Sequence, residues 1–210
     1  VIKGGIPRLN LGIHAHNDTG NAVANSLAAL NAGVRHLQGT LNGLGERCGN
    51  ADLVSLIPTL LLKEPYATML KLNISKNELG LLTQTSRLLD YVLNRVPNRG
   101  APYVGTSAFA HKGGLHASAV LKDPKTYEHI DPDLVGNQRI IPMSNQAGRS
   151  NLLSRLADAG VKVEKDNPNL NAILSQIKKK EDEGFSFDVA QASFELLAHR
   201  ILGSLPNYFE

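Results

Sequence analysis

Two histidines one residue apart, His14 and His16 in "LGIHAHNDTGN", close a short apolar run and are followed at once by Asn17 and Asp18. Side chains alternate faces along a strand, so both imidazoles project to the same side, about 7 Å apart along the backbone. Neutral imidazole is the commonest metal ligand, and two on one side can converge on a divalent ion. The alternative is that one histidine caps the next helix while the other lines a polar loop. A second group sits in "GLGERCGN", 43–50. There Gly43, Gly45 and Gly49 allow close backbone approach and positive φ angles. Asn50 offers either an amide oxygen to an N/O metal sphere or the N-cap of a helix that starts at Ala51. Cys48 is either a soft-metal ligand or nucleophile, or a small buried hydrophobe. Glu46 and Arg47 are expected to pair and shape the loop. A third stretch, "SAFAHKGGLHASAVLKDPKTYEHI" from Ser107 to Ile130, holds His111, His116, Tyr127 and His129, with Gly113-Gly114 just before His116. Histidine titrates near neutrality and is the usual general base. Spacing alone favours surface and packing roles here, because nothing local ties these residues to the first pair.

The elements that must position these groups follow from periodicity. "LNLGI" at 9–13 reads as a short buried strand. "NAVANSLAALNA" at 21–32 places Val23, Leu27 and Leu30 on one helix face. Asp18 or Thr19 is expected to cap it and Gly33 to end it. "VRHLQGTL" at 34–41 reads as a second strand, and "ADLVSLIPTLLLK" as a helix kinked at Pro58, which has no N–H to donate. Strand, helix, strand, helix with short βα loops is the repeat of a parallel α/β sheet or barrel. A (β/α)₈ barrel needs about 250 residues, so the bulk of any barrel is expected upstream of Val1. Beyond Pro65 the pattern is helical. Leu81, Leu82, Leu88, Leu89, Val92, Leu93 and Val96 predict one helix over 77–96. The expected division is 1–66 as two βα units, 67–100 as a linker helical region and 101–210 as a second, α-rich linker subdomain. "KKKEDE" at 178–183 is expected to be a solvated helix face.

Composition sets outer bounds. With 22 basic and 19 acidic side chains the chain carries +3, too mild a charge to argue for nucleic acid. No apolar run approaches the roughly 20 residues needed to span a bilayer. The opening "VIKGGIPRLN" has no signal-peptide core and begins with Val, which points to a start inside a longer protein. One cysteine among 210 residues cannot form an internal disulfide and suits a reducing cytoplasm.

Together, "GIHAHND", "QGTLNGLGERCGNADL", "YVGTSAFAHKGGLHASAVLKDPKTYEHI" and "ASFELL" resemble the citramalate synthase branch of the isopropylmalate/homocitrate synthase family. Isopropylmalate synthases usually carry Gln-Asp after the equivalent of His116, where this chain has Ala117-Ser118. The resemblance implies the C-terminal portion of a TIM (β/α)₈ barrel followed by mainly helical linker subdomains. It implies a Claisen-type condensation of acetyl-CoA with a 2-oxo acid, pyruvate favoured, followed by thioester hydrolysis, in a homodimer. It makes His14, His16 and Asn50 ligands of a divalent ion (Zn, Mn, Mg or Co), and gives His116 and Tyr127 proton transfer near acetyl-CoA. His111 matches no family role. The family's Arg-Asp pair and catalytic Glu have no counterpart here, so the chain alone is expected to be inactive. Two other readings stay open: a 2-isopropylmalate or homocitrate synthase, and a non-catalytic module in which the 67–210 helices serve dimerisation.

Overall fold

The structure, a computed structural model, describes residues 11–141, 148–188 and 190–205. Packing separates two compact units. The first holds the described residues up to Ala108 together with Pro132–Gln138; the second holds Phe109–Asp131 and the described residues from Arg139 onward. Residues 67–100 thus pack within the first unit.

The first unit opens with a β-α-β arrangement. Strand β1 (Gly12–His14) pairs in parallel with β2 (His36–Gln38), in the register Gly12↔His36, Ile13↔Leu37, His14↔Gln38. Residues 9 and 10 of the expected first strand lie outside the described residues. Helix α1 (Ala22–Asn31) connects the strands. It buries Ala22, Ser26 and Leu30, and the Ser26 hydroxyl is satisfied by donating to the Ala22 carbonyl at 2.8 Å. The expected cap is corrected: neither Asp18 nor Thr19 caps α1, and Asn17 Oδ1 instead accepts from the Ala22 N–H at 3.1 Å. Asp18 is unavailable because Arg47 holds it. After Gly33 the chain turns directly into β2.

A 3₁₀ turn at Leu41–Gly43 leads through the glycine loop to α2 (Leu53–Leu62), and buried Pro58 does not end this helix. Ala22, Ala51 and Leu56 form the local core, with Ala15, Val23, Leu27 and Leu53 packed on it. The single helix expected over 77–96 is corrected. After α3 (Tyr66–Met69), it breaks into α4 (Lys76–Leu79) and α5 (Leu82–Val92). Ser75 and Glu78 form a reciprocal capping box that starts α4. The apolar stripe expected over 77–96 does not face the core: Leu82 is buried, whereas Leu81, Leu88, Val92 and Val96 are exposed. The reason is polar anchoring on the opposite side. Ser86 Oγ donates to Asn42 Oδ1 at 2.7 Å, Asn42 Nδ2 donates to the Ser86 carbonyl at 3.0 Å, and Thr83 Oγ1 donates to the Val135 carbonyl at 2.7 Å.

The second unit begins with α6 (Gly114–Lys122) and a 3₁₀ turn, Pro124–Thr126. Helices α7 (Arg149–Asp158), α8 (Asn169–Asp182) and α9 (Gln191–Leu202) enclose a core of Leu152, Leu156, Leu170, Ile173, Ile177, Phe187, Phe194 and Ala198. Buried Arg155 is accommodated because Nη2 donates to the Phe187 carbonyl at 2.6 Å, Nε donates to Gln191 Oε1 at 3.0 Å, and the guanidinium lies 4.6 Å above the Phe194 ring. The 178–183 charge run lies at the solvated end of α8, as its composition predicts. Among the described residues no helix is long and apolar enough to cross a membrane.

Candidate functional site

His14 is the last residue of β1, and His16 follows two residues later, so strand alternation should turn both rings the same way. Their centroids lie 5.2 Å apart with planes at 72°. Asn50 is brought beside them by backbone pairing. His16 and Asn50 form an antiparallel bridge. On either side, Asn17 N–H donates to the Gly49 carbonyl at 2.8 Å and Ala51 N–H to the Ala15 carbonyl at 2.9 Å.

The helix-cap alternative for Asn50 fails. Asp52 is the N-cap of α2, its carboxylate accepting from the Val54 N–H at 3.0 Å. The Asn50 side chain is turned elsewhere: Nδ2 donates to the Leu44 carbonyl at 2.8 Å, which also accepts from Thr40 Oγ1. That bond fixes the amide and leaves Oδ1 buried with no hydrogen-bond partner. Leaving a buried acceptor unmet is unfavourable by roughly 1–3 kcal/mol, a cost a cation or other donor at that point would remove. Two imidazoles and an amide oxygen make a donor set of mixed N/O type, which suits borderline and hard divalent ions. Among the described residues no three His, Cys, Asp or Glu side chains group to hold a metal.

The glycines make this loop possible by absence of side chains. A Cβ at Gly45 would fall 2.3 Å from Asn50 Nδ2. At Gly49 the backbone is left-handed (φ +85°), and a Cβ would fall 2.0 Å from the Gly43 carbonyl oxygen. The loop is tied back to the strand end by a two-pronged pair: Arg47 Nε and Nη2 donate to Asp18 Oδ1 and Oδ2 at 2.7 and 2.9 Å. The Arg47 hydrogen bond holds the Asp18 carboxyl below its ordinary range. Glu46, the partner expected from sequence, also pairs with Arg47, at a looser 3.8 Å. Cys48 is exposed, which corrects its reading as a small buried hydrophobe; it sits in the solvent-facing turn between Glu46 and Gly49.

In the second unit, His116 in the first turn of α6 meets Tyr127, with ring centroids 4.3 Å apart and planes tilted by 33°. His111 is not a surface residue. Its side chain is only 11% exposed, and Nε2 lies 3.1 Å from Glu128 Oε1. Glu128 in turn receives both prongs of Arg139, Nε to Oε1 at 2.6 Å and Nη2 to Oε2 at 2.5 Å. Sequence reasoning missed Glu128 and Arg139, because their partners lie 11 and 17 positions away and no local pattern announces them. Burial alone would raise the Glu128 carboxyl, but the hydrogen bonds from Arg139 and His111 outweigh it and the net shift is downward. A lowered carboxyl contributes stability that is intact above its unfolded value and is lost as pH falls through the lower folded one. Below pH 4.5, the reference value, the urea midpoint of the native chain should therefore fall more steeply than that of Glu128→Gln, whose side chain cannot titrate.

Residues 1–83 match the HMGL-like family, and residues 103–184 match the homocitrate synthase post-HMGL domain-like family. An (R)-citramalate synthase from Synechocystis sp. is 53% identical over 199 residues, covering 95% of this chain and 36% of that protein. One from Aquifex aeolicus is 50% identical over 201 residues, covering 96% and 37%. A 2-isopropylmalate synthase from Methylacidiphilum infernorum is 38% identical over 179 residues, covering 85% and 34%. The chain thus spans little more than a third of the length of the curated relatives it matches. Residues 1–83 are thus an HMGL-like segment, and residues 103–184 a homocitrate synthase post-HMGL domain-like segment.

Proposed function

We propose that this chain supplies part of the active site of a metal-dependent acyltransferase that condenses acetyl-CoA with pyruvate to (R)-citramalate and then hydrolyses the thioester. What supports this reading is that His14 and His16 lie side by side at one strand end, and that Asn50, bridged to His16 through the backbone, has a buried Oδ1 without a hydrogen-bond partner. The relatives named (R)-citramalate synthase, near 50% identity over almost the whole chain, supply the substrate class. In this reading β1-α1-β2-α2 are the last two βα units of a TIM barrel, whose strand C-termini build active sites. Residues 67–100 and 101–210 are then the linker subdomains of a homodimeric enzyme.

His14, His16 and Asn50 would hold the divalent ion, and the chemistry it supplies when bound is Lewis-acid polarisation of the keto oxygen. His116 and Tyr127 handle the proton: the acetyl methyl group gives one up, the resulting enolate attacks the ketone carbon, and the new alkoxide takes one back. Water then cleaves the thioester to release CoA. A 2-isopropylmalate synthase is the second reading, favoured by the relative of that name at 38% identity; Ala117-Ser118 after His116 weighs against it.

The test is CoA release, followed with a thiol reagent, from acetyl-CoA plus Mn²⁺ and either pyruvate or 2-oxoisovalerate. A chain extended to the length of its relatives is expected to turn over with pyruvate, and the 210-residue chain is not. Absence of pyruvate-dependent release from the extended chain would overturn the assignment.

A further inference from the structure

We propose that Glu128 is a positioning residue, which locks the backbone at Tyr127 so that the tyrosine ring stays seated against His116. The inference rests on the proton-transfer reading of that pair and adds what holds it in place. His116 is exposed and Tyr127 is 46% exposed. Besides each other, the pair has one further ring contact among the described residues, that of Tyr127 with the largely buried His111, 6.5 Å between centroids. His111 is itself held by Glu128, so the mutual placement of the two rings depends on what fixes the backbone and His111 beneath them.

Glu128 is where that backbone is fixed. It follows Tyr127 directly, its side chain is only 2% exposed, and both carboxylate oxygens are occupied by Arg139 and His111. Its two partners are themselves anchored. His111 N–H donates to the Ile140 carbonyl at 2.9 Å and Ile140 N–H to the Phe109 carbonyl at 3.0 Å, which laces the His111 and Arg139 segments together. The turn before Tyr127 is closed as well, with Glu128 N–H donating to the Pro124 carbonyl at 2.9 Å and Asp123 capping Lys125 N–H at 3.1 Å. On the far side of Glu128, His129 stacks on Phe109 with planes 11° apart. One carboxylate thus sits at the junction of three segments and between two ring pairs. A buried ion pair is weak evidence of stabilisation, since desolvation offsets much of the attraction. A bidentate guanidinium fork does impose a fixed geometry, and that geometry is transmitted to the adjacent residue.

The experiment reads the His116 ring protons of the 210-residue chain by ¹H–¹³C NMR. The Tyr127 ring should displace them upfield, and Tyr127→Leu marks the position they take without it. Glu128→Gln is expected to move the His116 signal most of the way to that position. Arg139→Lys, which keeps the charge but not the fork and changes a partly exposed side chain, is expected to move it part of the way and to serve if Glu128→Gln does not fold. A His116 signal that stays at its native position in either folded variant would overturn the proposal. In a chain extended to the length of its relatives, Glu128→Gln should lower kcat about 100-fold, the scale of a 1 Å misplacement, with the KM for pyruvate unchanged; an unchanged kcat overturns it too. Should His116→Ala leave kcat intact while the ring signal still follows Glu128, the positioning stands and the proton-transfer reading falls.

Discussion

His14→Ala and His16→Ala are each expected to weaken binding of Zn²⁺ or Co²⁺ to the 210-residue chain by at least about 10–100-fold, the loss produced even by removing groups that only support metal ligands. Titration calorimetry reads this directly. The rings lie 5.2 Å apart on one side of a strand end, so neither can replace the other. Asn50→Ala provides the sharper control. It removes the neutral oxygen donor and one hydrogen bond to the Leu44 carbonyl, yet that carbonyl keeps Thr40 Oγ1 as a donor and a buried unmet acceptor disappears with the amide. The two effects are each on the order of 1 kcal/mol and opposite in sign. Helix α2 keeps its start, because Asp52 caps it. Asn50→Ala should therefore leave the urea midpoint of the metal-free chain nearly unchanged while lowering metal affinity. Unchanged affinity in the His14/His16 double alanine variant would remove the ion from this site.

In a chain extended to the length of its relatives, His116→Ala should lower kcat by about 10²–10⁴-fold, the usual contribution of a positioned general acid or base. The KM for pyruvate should hardly change, since the 2-oxo acid is assigned to the His14, His16 and Asn50 group. Tyr127→Phe separates two roles. It keeps the ring that lies 4.3 Å from His116 and deletes only the hydroxyl. A large loss of kcat in Tyr127→Phe would place the phenol itself in the proton path, whereas a small one would reduce Tyr127 to a support for the imidazole. Full activity in both variants would exclude the pair from the chemistry.

What could be read from the sequence was local. Alternation fixed the common side of His14 and His16, and the strand-helix-strand-helix order is present as expected from periodicity. Glycine spacing marked a loop that only glycine permits at positions 45 and 49. The two capping errors share a cause, which is competition for the side chain from a partner outside the cap. Asp18 is a good N-cap by type, but Arg47, 29 positions on, takes both its oxygens. Asn50 and Asp52 are both suitable caps for the same helix, and only the Leu44 carbonyl decides between them. Gly80, which ends α4, was a visible signal for the break before α5, and the continuous leucine pattern concealed it. Glu128 left no trace in the sequence, because its role arises from two residues that reach it through the fold.

The attachment of α5 has a calorimetric consequence. Of its residues only Leu82, Thr83 and Ser86 are buried, and it is held largely through an amide, a hydroxyl and a carbonyl. Heat capacity on unfolding tracks newly wetted apolar area, and polar exposure lowers it. Detachment of this helix is thus nearly silent in heat capacity, and warming does nothing to tighten its grip. The leucine, isoleucine and phenylalanine core of α7, α8 and α9 carries the opposite signature and bends the stability of those helices with temperature.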